Sequence, residues 1–190
     1  MIAGLLLAAG GARRFGSQKL LEALNGSPIV ARSATVLAAE TDELCVVVGF
    51  ESNAVRRALA GVPARIVENE KWEQGLSSSL AAGIRALEGT TDAIVIGLGD
   101  QPSLDRDVVR SVIATWRTTG RPIVSARYRG TRGHPVLLDR RVFDEAARVT
   151  GDVGARDLIT RDPSRVAFVD VNADSPRDVD TRDDLSALER

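Results

Sequence analysis

The sequence has one cysteine, one histidine and few aromatic residues, which make up only 4% of the chain. Because Cys45 stands alone, an intramolecular disulfide and a cysteine-based metal cluster are both excluded, and its apolar neighbours predict a buried thiol. His134 is not accompanied by a G-x-S-x-G motif, so nothing supports a serine–histidine–aspartate nucleophile. These features are compatible with a reducing cytoplasm.

An excess of charge of either sign is also missing, as is a long hydrophobic run. Lys and Arg total 25 against 26 Asp and Glu, a net charge of −1, so the composition gives no support to general binding of nucleic acid or of an anionic membrane. The N-terminal apolar stretch ends at Arg13, which is too short to span a bilayer, and no basic segment precedes it as in a signal peptide. We expect a soluble cytoplasmic protein.

What the chain does contain is a series of apolar runs that alternate with amphipathic segments. This order predicts an α/β fold with a mostly parallel sheet, in one domain. Strands are predicted at 2–8, 44–48, 64–67, 93–98, 122–126, 135–138 and 166–171, and helices at 28–39, 52–60, 79–87, 104–116, 140–148 and 155–160, with 127–134 as a polar connection. Ser27 is predicted to cap the first helix with Pro28 at its first position, and Thr181 to cap a C-terminal helix with Asp184 three residues on.

A glycine-rich loop with positive charge follows the first predicted strand. Residues 10–19 read G-G-A-R-R-F-G-S-Q-K. Glycine backbone N–H groups approach anions closely and fixed charges neutralise them, so such a loop at a strand end is typical of phosphate binding. The spacing matches neither G-x-G-x-x-G nor G-x-x-x-x-G-K-[ST], because Ser17 follows Gly16 and the lysine comes only at Lys19. A glycine-rich turn with solvated arginines is the alternative.

Asp100 follows the strand predicted at 93–98, in the sequence G-D-Q-P. Ligands of open α/β sheets bind just beyond the carboxyl ends of the strands, where a carboxylate can hold Mg²⁺ against phosphate oxygens. Alternatively, Asp100 merely caps the helix entered through Pro102. The pattern alone leaves both roles open.

Several motifs together resemble a known family. Leu7-Ala8-Ala9-Gly10, followed by Arg14, Gly16 and Lys19, is similar to the L-A-A-G-x-S-x-R-M-G-x-x-K signature of nucleotidyltransferases that act on the molybdenum cofactor. Later motifs of that family are resembled, in the same order, by Asn69…Trp72…Gly75…Ser78-Ser79-Leu80, Gly99-Asp100-Gln101-Pro102, Gly133-His134-Pro135, Gly151 to Arg156 and Asp180-Thr181…Asp184-Leu185. The pairing of L-A-A-G with G-D-Q-P resembles the cytidylyltransferase (MocA-like) branch of the MobA-like superfamily. Ala12 departs from the usual serine and removes one phosphate contact, and Phe15 replaces the usual methionine as a packing residue.

The resemblance implies a single MobA-like NTP transferase domain over 1–190, with a Rossmann-like three-layer α/β/α fold of the nucleotide-diphospho-sugar transferase type. Residues 1–105 would form the nucleotide-binding half and 106–190 the acceptor-binding half. The implied reaction is Mg²⁺-dependent transfer of CMP from CTP to the phosphate of the molybdopterin cofactor, with release of pyrophosphate. Mn²⁺ is the alternative ion, and a recipient molybdoenzyme is a further implied partner.

The resemblance also assigns roles to residues. Arg14, Lys19 and Asp100 are expected to be catalytic, and Asp100 and Asp180 to hold the metal, with Asp178 as the alternative to Asp180. The expected nucleotide contacts are Leu7, Ala8, Ala9, Gly10, Gly11, Arg14, Gly16, Lys19, Asn69, Gly75, Ser78 and Ser79. The expected acceptor contacts are Gln101, Gly133, His134, Pro135, Asp152 and Arg156.

Other interpretations stay open at this point. The serines at 77–79 are also ordinary helix-start residues, Asp180 a helix-entry aspartate, and His134 a turn residue. The basic segment 127–132 either faces a phosphorylated pterin or is a solvated loop. Two rival function classes also stay open: an NAD(P)H-dependent reductase similar to nicotine-blue oxidoreductase, which shares these motifs, and a non-catalytic carrier of the molybdenum cofactor.

Overall fold

The computed structural model describes residues 1–11, 15, 17–89, 91–151 and 154–189. The strands in these residues are β1 Ile2–Ala8, β2 Ala23–Leu24, β3 Ser27–Pro28, β4 Glu43–Val48, β5 Arg65–Glu68, β6 Ala93–Leu98, β7 Ile123–Tyr128, β8 Thr131–Asp139 and β9 Val166–Val171. The helices are α1 Ile29–Glu40, α2 Ser52–Ala58, α3 Leu76–Leu87, α4 Arg106–Thr119, α5 Phe143–Ala146, α6 Arg156–Arg161 and α7 Arg182–Leu188. Short 3₁₀ turns lie at Lys19–Leu21, Trp72–Gln74, Arg140–Val142 and Pro163–Arg165.

Seven of these strands form one sheet, in the order β5-β4-β1-β6-β8-β7-β9. β1 pairs in parallel with both β4 and β6, and β7 pairs in parallel with β9. Only β8 runs antiparallel to its neighbours in this sheet, β6 and β7. The prediction of a mostly parallel sheet in a single-domain α/β fold is confirmed.

The two faces of the sheet carry separate apolar cores. Alternate residues of β1 point to opposite sides, so that Leu6 packs with the residues of α1 and α4 while Leu5 packs with those of α3. Gly83 of α3 lies directly on the sheet, because a Cβ there would stand 2.3 Å from Leu5 Cδ1. Helices therefore cover both faces in three layers, which leaves the ends of the strands as the place for a site.

The predicted bounds of β1, β6 and β9 are confirmed, as is the capping box of Thr181 and Asp184 at α7. The predicted start of the first helix is wrong. Ser27 pairs with Leu24 in a two-stranded hairpin, so Pro28 occupies the cap position and α1 begins at Ile29. A partner three residues away in the chain thus prevents Ser27 from capping the helix.

Three further elements differ clearly from the predictions, and smaller shifts in bounds occur elsewhere, as in α4, which is Arg106–Thr119 rather than 104–116. α3 begins at Leu76 rather than at residue 79, because Gly75 caps it and the serines lie in its first turn. The polar segment 127–134 is mostly strand, since β7 and β8 continue into it as a hairpin. The predicted helix at 140–148 is a 3₁₀ turn followed by the short α5. Among the described residues, no helix has the length and apolarity needed to cross a bilayer.

Candidate active site

The carboxyl ends of β1 and β6 lie side by side, because the strands pair in parallel with Leu7 opposite Leu98. Backbone hydrogen bonds fix the loops that leave this edge: Gly99 N–H donates to the Leu7 carbonyl at 2.9 Å and Phe50 N–H to the Ala9 carbonyl at 3.0 Å. A cavity of about 550 Å³ opens between these loops. The predicted site residues that line it are Leu7, Ala8, Ala9, Gly10, Gly11, Lys19, Gly75, Ser79, Asp100 and Asp180.

Lys19 joins the two carboxylates that the sequence predicts as metal ligands. Its Nζ donates to Asp100 Oδ2 and to Asp180 Oδ1, each at 2.7 Å. The lysine is held in place because its 3₁₀ turn is capped by Gln18, whose buried amide also donates to the Phe50 carbonyl at 3.0 Å. The structure therefore brings one ammonium together with two carboxylates, which lie 81 and 161 positions after Lys19 in the chain.

The charges at this point perturb one another. Burial by itself would lower the pKa of Lys19, but the attraction and hydrogen bond of Asp100, followed by those of Asp180, outweigh burial and raise the pKa above its ordinary value. Lys19 therefore stays protonated at neutral pH. Burial, together with the nearby negative charges of Asp100 and Asp180, raises the pKa of the Asp178 carboxyl, against the opposing effects of the Gln101 hydrogen bond and of Lys19.

A short segment, residues 178–180, carries the second carboxylate to the site, and we call it the C-terminal strap. Gln101 Nε2 donates to Asp178 Oδ1 at 2.8 Å, and Val179 N–H donates to the Asp100 carbonyl at 3.0 Å. Val179 is fully buried, in a small apolar cluster with Phe15, Leu24 and Ile29, beside which Leu185 and Leu188 pack. Asp180 is thus the strap carboxylate that meets Lys19, whereas Asp178 and Gln101 serve to anchor the strap.

Asn69 and the serines of α3 form a hydrogen-bond network between β5 and the first turn of α3. Asn69 Nδ2 donates to Ser78 Oγ at 2.9 Å and to Ser79 Oγ at 3.0 Å, and Asn69 Oδ1 accepts from Lys71 N–H at 3.0 Å. Ser77 Oγ donates to the Gly151 carbonyl at 2.5 Å. Of these residues only Ser79 lines the cavity, so the network positions the cavity wall at α3.

The sequence reasoning missed Trp72, Glu73 and Leu76, which also line the cavity. The Trp72 ring lies against Phe50, with centroids 5.5 Å apart, and against Gly11. A Cβ at Gly49 would stand 2.6 Å from Trp72 Cβ, so only glycine at 49 lets the tryptophan approach β4 so closely. The signal was present in the sequence, since Trp72 belongs to the motif around Asn69 and Gly75.

A second cavity of about 480 Å³ adjoins the first, and Leu76 lines both. Gly133, His134 and Arg156, which were predicted as acceptor contacts, line it together with Arg132 and with apolar residues of β8 and α6. Tyr128 Oη donates to the His134 carbonyl at 2.8 Å. Although part of its surface faces this cavity, protein atoms surround the imidazole, and burial lowers the pKa of His134 to about 4 against the attraction of Asp100. His134 is therefore neutral at pH 7.

Pro135, a further predicted acceptor contact, lines neither cavity. Pro135 is buried and joined to His134 by a cis peptide bond. Arg14, Gly16 and Asp152 lie outside the described residues.

Asp100 and Asp180 fit a divalent ion that binds together with phosphate. They already share one cation, the Lys19 ammonium, at 2.7 Å each. Mg²⁺ usually takes one or two carboxylates and fills its other positions with waters and phosphate oxygens. No group of three or more His, Cys, Asp or Glu side chains that could hold a metal ion is present in the described part of the chain. Two carboxylates would leave the other positions of such an ion to waters and phosphate oxygens.

Comparisons with known proteins agree on one family. Residues 4–166 match the family profile described as MobA-like NTP transferase domain. Nicotine blue oxidoreductase of Paenarthrobacter nicotinovorans is 34% identical over 98% of this chain and 96% of that protein. Molybdenum cofactor guanylyltransferase of Burkholderia vietnamiensis is 37% identical, over 60% of this chain and 56% of that protein.

Among solved structures, Rv0371c of Mycobacterium tuberculosis superposes with a TM-score of 0.85 at 33% identity, covering 98% of this chain and 96% of that one. A second structure of Rv0371c, a complex with manganese, superposes with a TM-score of 0.80 at 32% identity, covering 98% of this chain and 97% of that one. The fold and a large part of the sequence are thus shared with these proteins.

Proposed function

Because the chain belongs to the MobA-like NTP transferase family, we propose that it transfers CMP from CTP to the phosphate of the molybdopterin cofactor and releases pyrophosphate. The observation that carries the proposal is the meeting of Lys19, Asp100 and Asp180 at the mouth of a 550 Å³ cavity beyond β1 and β6. A cation and two carboxylates at such a strand edge are the groups that phosphoryl-transfer sites use to bind and position charge.

The glycine-rich loop supports binding of the nucleotide phosphates in this cavity. Gly10 lines the cavity, and a Cβ at Gly10 would meet no atom of the described residues within 4 Å. A phosphate can approach the backbone in that space, with Lys19 within the same cavity to neutralise it. We further propose that the half of the chain up to residue 105 binds the nucleotide. The lining of the cavity supports this, because among the described residues the second half adds only Asp180.

Asp100 and Asp180 would hold Mg²⁺, with Mn²⁺ as the alternative; the solved manganese complex of Rv0371c supports a divalent ion in this family. When bound, such an ion neutralises negative charge on the phosphates. Lys19 would contribute a further positive charge at the triphosphate, and Arg14, whose position lies outside the described residues, is proposed to do the same.

The chemical step needs little from the protein beyond positioning. An oxygen of the acceptor phosphate would attack the α-phosphorus of CTP, the bond from that phosphorus to the bridging oxygen would break, and pyrophosphate would leave. A phosphate monoester has a second pKa of about 6, so it is largely ionised at pH 7 and no general base is required. His134, whose pKa is lowered to about 4, would in any case be a weak base. Catalysis then depends on orientation and on charge stabilisation.

The second cavity is the proposed acceptor site. It adjoins the first cavity at Leu76, and two substrates that react with each other need adjacent sites. Arg132 and Arg156 supply positive charge at its edge, whereas Val136 and Ile159 supply apolar walls. This combination suits an acceptor with a ring system and an anionic group. Gln101 is less suited to contact it, because its amide nitrogen is committed to Asp178.

A second candidate function rests on the similarity to nicotine blue oxidoreductase, which extends over 98% of this chain. On that reading the glycine-rich loop and Lys19 would bind the diphosphate of NAD(P)H, and hydride transfer would need no divalent ion. The carboxylate pair at Lys19 favours the metal-dependent transferase, because a carboxylate pair has no evident use against a dinucleotide diphosphate.

Two measurements separate these functions. Thermal unfolding with CTP, GTP, ATP and NADPH, each with and without Mg²⁺, should show the largest rise in Tm for CTP with Mg²⁺, since stabilisation grows with ligand concentration over Kd. Incubation with CTP, Mg²⁺ and the molybdopterin cofactor should then release pyrophosphate and give a cytidylylated product by mass spectrometry. Oxidation of NADPH without added metal and without pyrophosphate release would replace this proposal with the reductase.

A further inference from the structure

The ammonium of Lys19 occupies one oxygen of each carboxylate that a divalent ion would use. Lys19 Nζ lies 2.7 Å from one oxygen of Asp100 and 2.7 Å from one of Asp180, and the lysine side chain is only 13% exposed. Two cations on these carboxylates would repel each other at short range in a partly desolvated place. A divalent ion that takes the two oxygens bonded to Lys19 therefore has to displace the ammonium.

We propose that Lys19 and a divalent cation compete for Asp100 and Asp180, and that nucleotide binding resolves the competition by drawing Lys19 onto its phosphates. The role of the nucleotide rests on the proposed function, whereas the competition between Lys19 and the metal does not. The carboxylates would then be paired in every state, with Lys19 before the metal arrives and with the metal afterwards.

The position of Lys19 allows this exchange without movement of its backbone. Its 3₁₀ turn is fixed by Gln18, which is bonded to Leu20 N–H and to the Phe50 carbonyl. The lysine side chain is a flexible four-carbon stem with one terminal charge, so its head can move while its Cα stays in place. Gly10 and Gly11, the proposed phosphate-binding residues, line the same cavity as Lys19. Nucleotide phosphates bound at these glycines would therefore give the ammonium a second set of anions within the cavity.

The exchange makes metal and nucleotide binding interdependent. Without nucleotide, the metal must break two charge-assisted hydrogen bonds and binds weakly; with nucleotide, Lys19 has already left, and the metal binds more tightly. Such a coupling is reciprocal, so the metal raises the affinity for nucleotide by the same factor. The site would thereby avoid holding a metal ion in the absence of its substrate.

The test measures Mn²⁺ affinity by electron paramagnetic resonance in the absence of any nucleotide. Lys19→Met removes the competing ammonium, and Lys71→Met is the matched control, because Lys71 is the chain's other lysine and lies outside both cavities. We expect Lys19→Met to bind Mn²⁺ at least ~10-fold more tightly than the wild-type protein, which is within the usual range of coupling between sites. Lys71→Met should leave the affinity unchanged, and adding Asp100→Asn to Lys19→Met should abolish the gain.

Equal or weaker Mn²⁺ binding by Lys19→Met would overturn the inference. Lys19→Gln, with a neutral polar side chain, is measured in parallel in case the methionine variant does not fold. The test distinguishes failure of this inference from failure of the proposed function. Tighter Mn²⁺ binding by Lys19→Met, with no transfer from CTP by the wild-type protein, would support the competition and contradict the proposed reaction. Transfer from CTP by the wild-type protein, with unchanged Mn²⁺ affinity in Lys19→Met, would support the reaction and contradict the competition.

Discussion

The substitution Asp100→Asn tests how much the bond between Lys19 and its partly buried partner contributes to stability. It keeps the shape of the side chain but removes the charge that accepts from Lys19 Nζ at 2.7 Å. The two side chains are only 13% and 23% exposed, so water compensates the remaining ammonium poorly. A hydrogen bond to a charged group contributes about 1.5–3 kcal/mol, so we expect the free energy of unfolding at pH 7 to fall by roughly 2 kcal/mol. For a domain of this size, Tm would fall by about 4–8 °C.

Asp180→Asn is the matched comparison. It removes the same kind of bond, also 2.7 Å long, but the Asp180 side chain is 46% exposed. Exposed pairs contribute little, so the loss should stay below about 1 kcal/mol. Both variants nevertheless remove a proposed metal ligand and should lower the rate of transfer by at least ~10²-fold. Asp100→Asn is thus expected to lose both stability and activity, whereas Asp180→Asn should lose activity with little loss of stability.

Urea unfolding and pyrophosphate release measure the two quantities. The pKa of Lys19 is raised above its ordinary value of 10.5, so its stabilisation is fully present at pH 7 and is lost only as the pH rises through the folded-state pKa. Equal losses of stability in Asp100→Asn and Asp180→Asn would refute the reasoning from burial. Wild-type rates of transfer in both variants would refute the assignment of the carboxylates.

Three further predictions concern the two cavities. Gly10→Ala places a methyl group where no atom of the residues that the structure describes lies within 4 Å, so it should weaken nucleotide binding in a titration while changing Tm by less than about 2 °C. A large drop in Tm would show that protein, not ligand, fills that space. Leu76→Ala opens the boundary between the cavities and should raise KM for both substrates, and Leu76→Met should restore both KM values. Ile159 lines the second cavity alone, so Ile159→Ala should raise KM for the acceptor only. His134 has its pKa lowered to about 4, whereas the unfolded chain takes up this proton near pH 6.5. Acidification from pH 6.5 to 4 should therefore destabilise the wild-type protein by up to roughly 3 kcal/mol more than His134→Gln in urea unfolding, and identical pH profiles would contradict a buried neutral imidazole.

The central strands β1 and β6 are continuous apolar runs buried along almost their whole length, so their bounds could be predicted to the residue. The start of α3, by contrast, depends on a distant partner. α3 begins at Leu76 because Gly75 caps it and Ser77 is bonded to the Gly151 carbonyl, 74 residues further along the chain. No local pattern contains that contact.

The same limit applies to the site. Asp100 was identifiable from its place after a strand, and the structure brings Lys19 and Asp180 to it. That Lys19 bonds both carboxylates could not be read from spacing, because the contact depends on the C-terminal strap and on the burial of Val179. Asn69 also differs from its expected place: its amide is committed to Ser78 and Ser79, so it acts on the cavity through α3. These bonds depend on how β5 and α3 pack against each other, which the sequence pattern does not specify.

The C-terminal strap makes the carboxylate pair depend on residues that do not belong to the large sheet. The last strand of that sheet, β9, ends at Val171, whereas Asp180 comes nine residues later. A chain cut after residue 177 would keep all seven strands of the sheet and lose the strap together with Val179, so Lys19 would hold one carboxylate instead of two. Packing of Val179 beside Phe15 thus controls whether the proposed metal site has its second carboxylate.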